Sequence, residues 1–106
     1  MYARFLTFNL KPNRLNEFTE TFNTQVIPMV SKQTGFKDII AFSGPSGTEI
    51  CAISLWDSKE NAESYNSTTY PEVQKVLANV LEGTPQIKTY DVVSSTFHKI
   101  PILAAL

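Results

Sequence analysis

The sequence has one cysteine and one histidine, and that scarcity removes several classes of protein at once. Cys51 cannot close an internal disulfide, and Cys51 with His98 cannot complete a four-ligand structural zinc site, so disulfide-stapled and zinc-ribbon scaffolds are excluded. Basic clusters are missing too. Nine Lys and Arg against ten Asp and Glu leave a net charge of -1, with the cations scattered from Arg4 to Lys99. Such a balance gives no electrostatic footprint for nucleic acid or an anionic membrane, and neither is expected as a partner. No apolar run approaches the ~20 residues that span a bilayer. The first residues, Met1 to Asn9, lack the uninterrupted apolar region and small-residue cleavage site of a secretory leader, so a cytoplasmic location is expected. G-x-G-x-x-G, G-x-x-x-x-G-K, G-x-S-x-G and H-E-x-x-H patterns are all absent, which leaves nucleotide-binding, serine-hydrolase and zinc-protease readings without support.

What is present suits one small domain. A chain of 106 residues, 42% of them apolar, is long enough for a single core and too short for a second, giving a domain over residues 1–106 whose last part, about 99–106, is an apolar tail. Residues 3–10 read as a strand. Pro12 and Asn13 then supply a turn and a candidate N-cap, and Leu15, Phe18, Phe22, Val26 and Met29 recur at helical spacing up to Gly35. Pro28 lies inside that pattern and removes a donor, so the helix is expected to kink there. Residues 36–43 and 48–56 are rich in β-branched and aromatic side chains around Gly44-Pro45-Ser46-Gly47, the pattern of an antiparallel hairpin. Asp57-Ser58-Lys59-Glu60 starts a short helix reaching Tyr65. Thr69-Tyr70-Pro71-Glu72 has capping-box form before Val73, Val76, Leu77, Val80 and Leu81, with Gly83 as the stop. A last strand is expected over 86–97.

The order β-α-β-β-α-β is that of the ferredoxin-like α+β fold, a four-stranded antiparallel sheet with both helices on one face. A strand with one wet face should alternate apolar and polar residues, yet here both parities are apolar. Phe5 opposes Leu6 and Phe8; Ile40 and Phe42 oppose Ile39 and Ala41; Cys51, Ile53 and Leu55 oppose Ile50 and Ala52. The uncovered face needs a cover, and the economical one is the same face of a second copy, a homodimer.

The run Ile53-Ser54-Leu55-Trp56-Asp57-Ser58-Lys59-Glu60-Asn61-Ala62, with Lys11-Pro12-Asn13, Thr34-Gly35-Phe36 and Thr69-Tyr70-Pro71-Glu72-Val73, resembles the dimeric α+β barrel superfamily. Within it the chain is similar to the antibiotic-biosynthesis-monooxygenase (ABM) type of domain over nearly its whole length. The resemblance implies two sheets facing each other as a barrel, with a small-molecule pocket between sheet and helices in each protomer. Of the residues used by quinone-forming members, Trp56 matches, whereas an Asn four positions before it and a Tyr six positions after it are replaced by Ala52 and Ala62. In the haem-degrading branch the helical Trp position falls on Tyr65 and the His position near Leu77, so no haem site is implied. The reaction the resemblance implies is cofactor-free oxygenation of a small aromatic or polyketide-like compound, with no metal or flavin. The alternative is a non-catalytic ligand-binding or structural dimer, which Ala52 and Ala62 favour.

Each candidate site residue carries a plainer reading beside the functional one. Trp56 could wall a substrate pocket or plug the core where strand turns to helix. Tyr65 and Tyr70 could donate hydrogen bonds to a ligand or sit as surface and interface tyrosines. Asn9 could orient a substrate carbonyl or form a turn. His98 is the natural proton carrier near neutrality, but its place at the sheet margin suits a surface or dimer-edge histidine. Cys51 reads as a buried thiol, and Glu17, Glu20, Glu60 and Glu63 as solvated helix charges.

Overall fold

The chain folds as β1 (Tyr2–Leu10), α1 (Leu15–Thr21), a π-helical segment (Phe22–Val26), α2 (Ile27–Ser31), β2 (Phe36–Ser43), β3 (Glu49–Trp56), α3 (Lys59–Thr68), α4 (Tyr70–Leu77) and β4 (Leu81–Asp91). The computed structural model describes residues 1–100, so the expected apolar tail lies, from residue 101 on, outside the described residues. The strands form one antiparallel sheet in the order β2-β3-β1-β4, with the helices packed on one face. This is the ferredoxin-like arrangement expected from the element order.

Alternation decides which face each side chain takes. In β3, Ile50, Ala52, Ser54 and Trp56 are buried under the helices, while Cys51, Ile53 and Leu55 are half-buried on the opposite face. Register carries the same division into β1: Leu6 pairs with Ala52 and Arg4 with Ser54, so Arg4, Leu6, Phe8 and Leu10 face the helices. On the other side Phe5 meets Tyr90 edge to face at 5.2 Å. That face stays apolar and open, with Ile40 52% and Phe42 50% exposed.

The helix after β1 differs from its expected form at both ends. Asn13 is not the N-cap; it takes φ 61, a left-handed turn that Asn tolerates, and Arg14 occupies the cap position without a side-chain capping bond, its guanidinium donating to Glu17 instead. The disturbance expected at Pro28 falls before it, where residues 22–26 widen into a π turn. Pro28 has no N–H to give the carbonyl four residues back and its ring crowds that carbonyl, so the preceding turn opens to accommodate it. Phe18, Phe22, Val26 and Val30 are nevertheless all buried against the sheet.

The second helical region also departs from expectation. Ser58 caps α3 by accepting from the Asn61 N–H at 3.2 Å, and the helix runs past Tyr65 to Thr68. No capping box forms at Thr69. Its hydroxyl donates to Gln33 Oε1 at 2.9 Å, and Glu72 pairs with Lys75 instead. Val80 and Leu81 lie beyond α4, and Gly83 does not stop a helix: it lies inside β4 at φ 78, where the register with β1 shifts between Thr7 and Asn9. A left-handed glycine serves a bulge as well as a helix end, and Pro85, lacking an N–H, falls in the same irregularity. β4 accordingly begins at Leu81 and ends at Asp91, leaving Val93 and Phe97 exposed beyond it.

Gly35 holds the turn into β2 against the start of α3. Its φ is 83, its carbonyl accepts from the Asp57 N–H at 2.8 Å, and a Cβ there would run into the side chains of Asp57 and Asn61. Gly47, at φ 77, has only a Leu15 methyl at 3.7 Å from the same position. Gly35→Ala is therefore expected to cost roughly 3 kcal/mol or more in urea unfolding, and Gly47→Ala only about 1 kcal/mol, since the second adds no collision to the backbone strain.

Candidate functional site

The end of β3 delivers Trp56 into the place where sheet and helices meet. Trp56 is fully buried; its indole N–H donates to Ser54 Oγ at 2.9 Å, which satisfies both polar groups inside the core. The Tyr65 ring stacks on the indole at 4.8 Å between centroids, Phe36 meets its edge at 5.8 Å, and Tyr70 follows Tyr65 at 6.3 Å. The structure thus brings Trp56, Tyr65 and Tyr70 together in one row, with both tyrosines buried. Asn9 is not with them. It is exposed on the open face at the far end of β1, roughly 16 Å from Arg4 at strand spacing, paired with Glu49 and Glu82.

Sequence reasoning passed over Arg4. Its side chain is 4% exposed, and its guanidinium lies 5.0 Å from the Tyr65 ring centroid and 4.7 Å from that of Tyr70. Nη2 donates to Asn66 Oδ1 at 2.8 Å. Among the described residues no carboxylate pairs with it. A buried cation without a counter-ion is costly, so the two aromatic faces, each contributing about 2 kcal/mol when desolvated, are what make the position tolerable. The signal in the sequence was its parity: a charged residue at an inward position of β1, in register with Leu6, Phe8 and Leu10.

Burial pushes the Tyr65 pKa up to about 12, with the Arg4 charge restraining it, and burial raises Tyr70 for the same reason. Both phenols are therefore neutral donors at physiological pH. Burial likewise draws Arg4 below its ordinary value, opposed by the two tyrosines, though a guanidinium remains charged. The Tyr70 hydroxyl is buried with no hydrogen-bond partner among the described residues.

Space for a ligand lies beside this row. Between sheet and helices the interior void next to Leu6 and Tyr65 is only about 20 Å³, room for a water and not for a ring. A cleft of about 290 Å³ opens instead where α3 stops short of β4; Tyr2, Arg4, Ile87 and Thr89 form its floor and Ala62, Glu63 and Asn66 its wall. Trp56, Tyr65 and Tyr70 stand behind Arg4 and do not line it. His98 is elsewhere: Nε2 lies 3.2 Å from Asp38 Oδ2 on β2, the opposite edge strand, and the residue is half-buried. Cys51 is half-buried on the open face, not in the core as expected, because its odd position in β3 points it away from the helices. Glu17, Glu20, Glu60 and Glu63 are exposed as expected. Among the described residues no three His, Cys, Asp or Glu side chains gather as metal ligands, and no helix is long and apolar enough to cross a membrane.

No protein-family model and no curated protein sequence matches the chain. Solved structures do. A monooxygenase from Streptomyces coelicolor in complex with nanaomycin D superposes with a TM-score of 0.74 at 16% identity, over 94% of this chain and 91% of that one. A variant of SnoaB, a cofactor-independent oxygenase from Streptomyces nogalater, gives 0.69 at 13% identity over 90% and 96%. A protein of unknown function from Nitrosomonas europaea gives 0.73 at 14% identity over 94% and 93%. At these identities the likeness establishes an ABM-like fold.

The raised Tyr65 pKa has a measurable sign. An unfolded tyrosine releases its proton near pH 10 and folded Tyr65 only near about 12, so its stabilising contribution is whole below about pH 10 and declines as pH rises toward 12. Tyr65 should account for up to about 1.4 kcal/mol per pH unit of the stability that the wild type loses in urea unfolding across that window. The decline should be visibly shallower in Tyr65→Phe.

Proposed function

We propose that the protein is a homodimeric, cofactor-free oxygenase of ABM type that acts on a small, flat aromatic or polyketide-like compound held in the cleft between α3 and the β1–β4 half of the sheet. The observation that carries this reading is the buried Arg4 guanidinium, backed by the Trp56–Tyr65–Tyr70 row, at the floor of a cleft of about 290 Å³. In such chemistry the ionised substrate itself reduces oxygen: a ring CH2 and O2 give a ring C=O and water, and the substrate supplies all the electrons. The protein has to favour the substrate anion, exclude water and offer hydrogen bonds where charge develops. Arg4 fits the first need, because a neighbouring cation lowers the pKa of a bound acid, and the cleft lining holds no histidine to act as a base. Tyr65 is a neutral donor beside Arg4, Trp56 fixes the Tyr65 ring from behind, and Tyr70 supports Arg4 from its other side. Asn66, on the cleft wall, supplies the amide first sought at Asn9, which in this reading faces the second copy.

The dimer rests on the open sheet face. Phe5, Ile40, Phe42, Ile53, Leu55 and Tyr90 present an apolar surface that a second copy would bury. A second reading, a dimer that binds a ligand without turning it over, is supported by Ala52 and Ala62 standing where the resemblance puts Asn and Tyr.

Light scattering at micromolar concentration is expected to give twice the 11.9 kDa chain mass; a stable monomer would remove the dimer from the reading. Chelator-treated protein should consume dissolved oxygen with an anthrone or an electron-rich phenol, and Arg4→Met, which removes the donor at the cleft floor, should slow uptake by roughly tenfold to thousandfold. Quenching of Trp56 fluorescence by the same compounds without oxygen uptake would select the binding dimer.

A further inference from the structure

Arg4 is equipped for a partner that the protein itself does not supply. A guanidinium carries five N–H donors in a planar fork, and here one makes a hydrogen bond, to Asn66. The others have no acceptor among the described residues, although the side chain is 96% removed from solvent and forms part of the cleft floor. Asn66 adds to the donor side of this surface. Because Arg4 can only donate, the amide oxygen of Asn66 must face it, which turns the Asn66 NH2 away from Arg4 on the wall of the same cleft. The remaining floor is Ile87, Tyr2 and the Thr89 hydroxyl. One carboxylate lines the cleft, that of Glu63, and it is exposed and lies 3.9 Å from Lys59 Nζ. The unpartnered Tyr70 hydroxyl beneath Arg4 is a second unused donor in the same cluster.

We infer that the cleft is a binding site for a singly charged oxyanion carried on a flat ring, an aryl carboxylate or a phenolate, with the oxyanion paired to the Arg4 fork and the Asn66 amide and the ring laid over Ile87 and Tyr2. This deepens the preceding reading, because it rests on the cleft being the ligand site and gives that ligand its charge. The buried guanidinium acquires the counter-ion it lacks, and the low-dielectric floor makes that pairing stronger than it would be at an exposed arginine. A neutral ligand of the same shape would leave the guanidinium without a counter-charge. Charge, more than size, is then the selecting property.

The experiment compares each anion with its neutral isostere by calorimetry on the wild-type protein: 2-naphthoate against 2-naphthamide for the carboxylate arm, 2,4-dinitrophenolate against 2,4-dinitroanisole for the phenolate arm. At least one anion is expected to bind roughly tenfold or more tighter than its isostere, and the arm that does so identifies the source of the oxyanion. Arg4→Met should reduce that preference to within about twofold, and Arg4→Lys should retain part of it. Should Arg4→Met not fold, the wild type still answers. The chain has two arginines, so the Arg4 side-chain Nε–H resonance, assigned against Arg14→Lys, should shift with the anion and not with the isostere. Equal affinity within both pairs, no binding of either anion up to about 10 mM, or a preference that survives Arg4→Met in a folded protein would overturn the inference. Anion preference without oxygen uptake refutes the oxygenase reading alone, and oxygen uptake without anion preference refutes this one alone.

Discussion

The stack of Tyr65 on Trp56 is the contact on which the arrangement of the molecule depends. It joins the last residue of β3 to the middle of α3, and through Phe36 it also reaches the first residue of β2. A fully buried indole has few positions available to it, and its single polar atom is already committed to Ser54. With Trp56 fixed, Tyr65 is fixed, and the face of Tyr65 turned from the indole becomes a platform for a cation. Arg4 occupies it. The position of α3 along the sheet, the burial of Arg4 and the gap between α3 and β4 are therefore one geometric solution and not three separate features.

Much of the fold was legible because its signals are short-range and repeated. Runs of β-branched and aromatic residues bounded by turn residues marked three strands to within two residues, and the absence of a polar parity identified an apolar outer face that the structure leaves open. Where the reading failed, one residue type had two uses. Gly83 after Leu77, Val80 and Leu81 suits a helix stop, but Leu77 ends the helix and the same left-handed glycine sits in a β-bulge. Thr69 and Glu72 have capping-box spacing, yet α3 runs almost directly into α4, so Thr69 already has helical backbone angles and its hydroxyl bonds to Gln33. Tertiary contacts settled each of these, and no local window contains them.

The site was less legible, for a different reason. Trp56, Tyr65 and Tyr70 could be picked out as aromatic residues near one strand end, and the structure brings them together. Their joint effect is visible only in three dimensions, since it lies in what they do to a fourth residue. Arg4 entered the sequence reading as one of nine scattered cations, where it weighed against a nucleic-acid partner. In the fold it is a buried cation that pairs with no carboxylate among the described residues, and its inward parity in β1 was the local clue. Asn9 attracted notice as an amide beside a turn, and parity again decides, sending it to the face opposite the cleft.

The π turn at residues 22–26 solves a problem of phase. Phe18, Phe22, Val26 and Val30 follow one another at intervals of four, and in an unbroken α-helix each such step rotates the side chain by about 40° around the axis. Three steps would carry Val30 about a third of a turn away from Phe18. A wider turn advances fewer degrees per residue, so placing one in the middle returns part of that rotation and lets a strictly four-residue repeat keep to the sheet from one end to the other. The proline that interrupts the hydrogen bonding thus acts like a vernier correction, converting a spiral stripe into a straight seam.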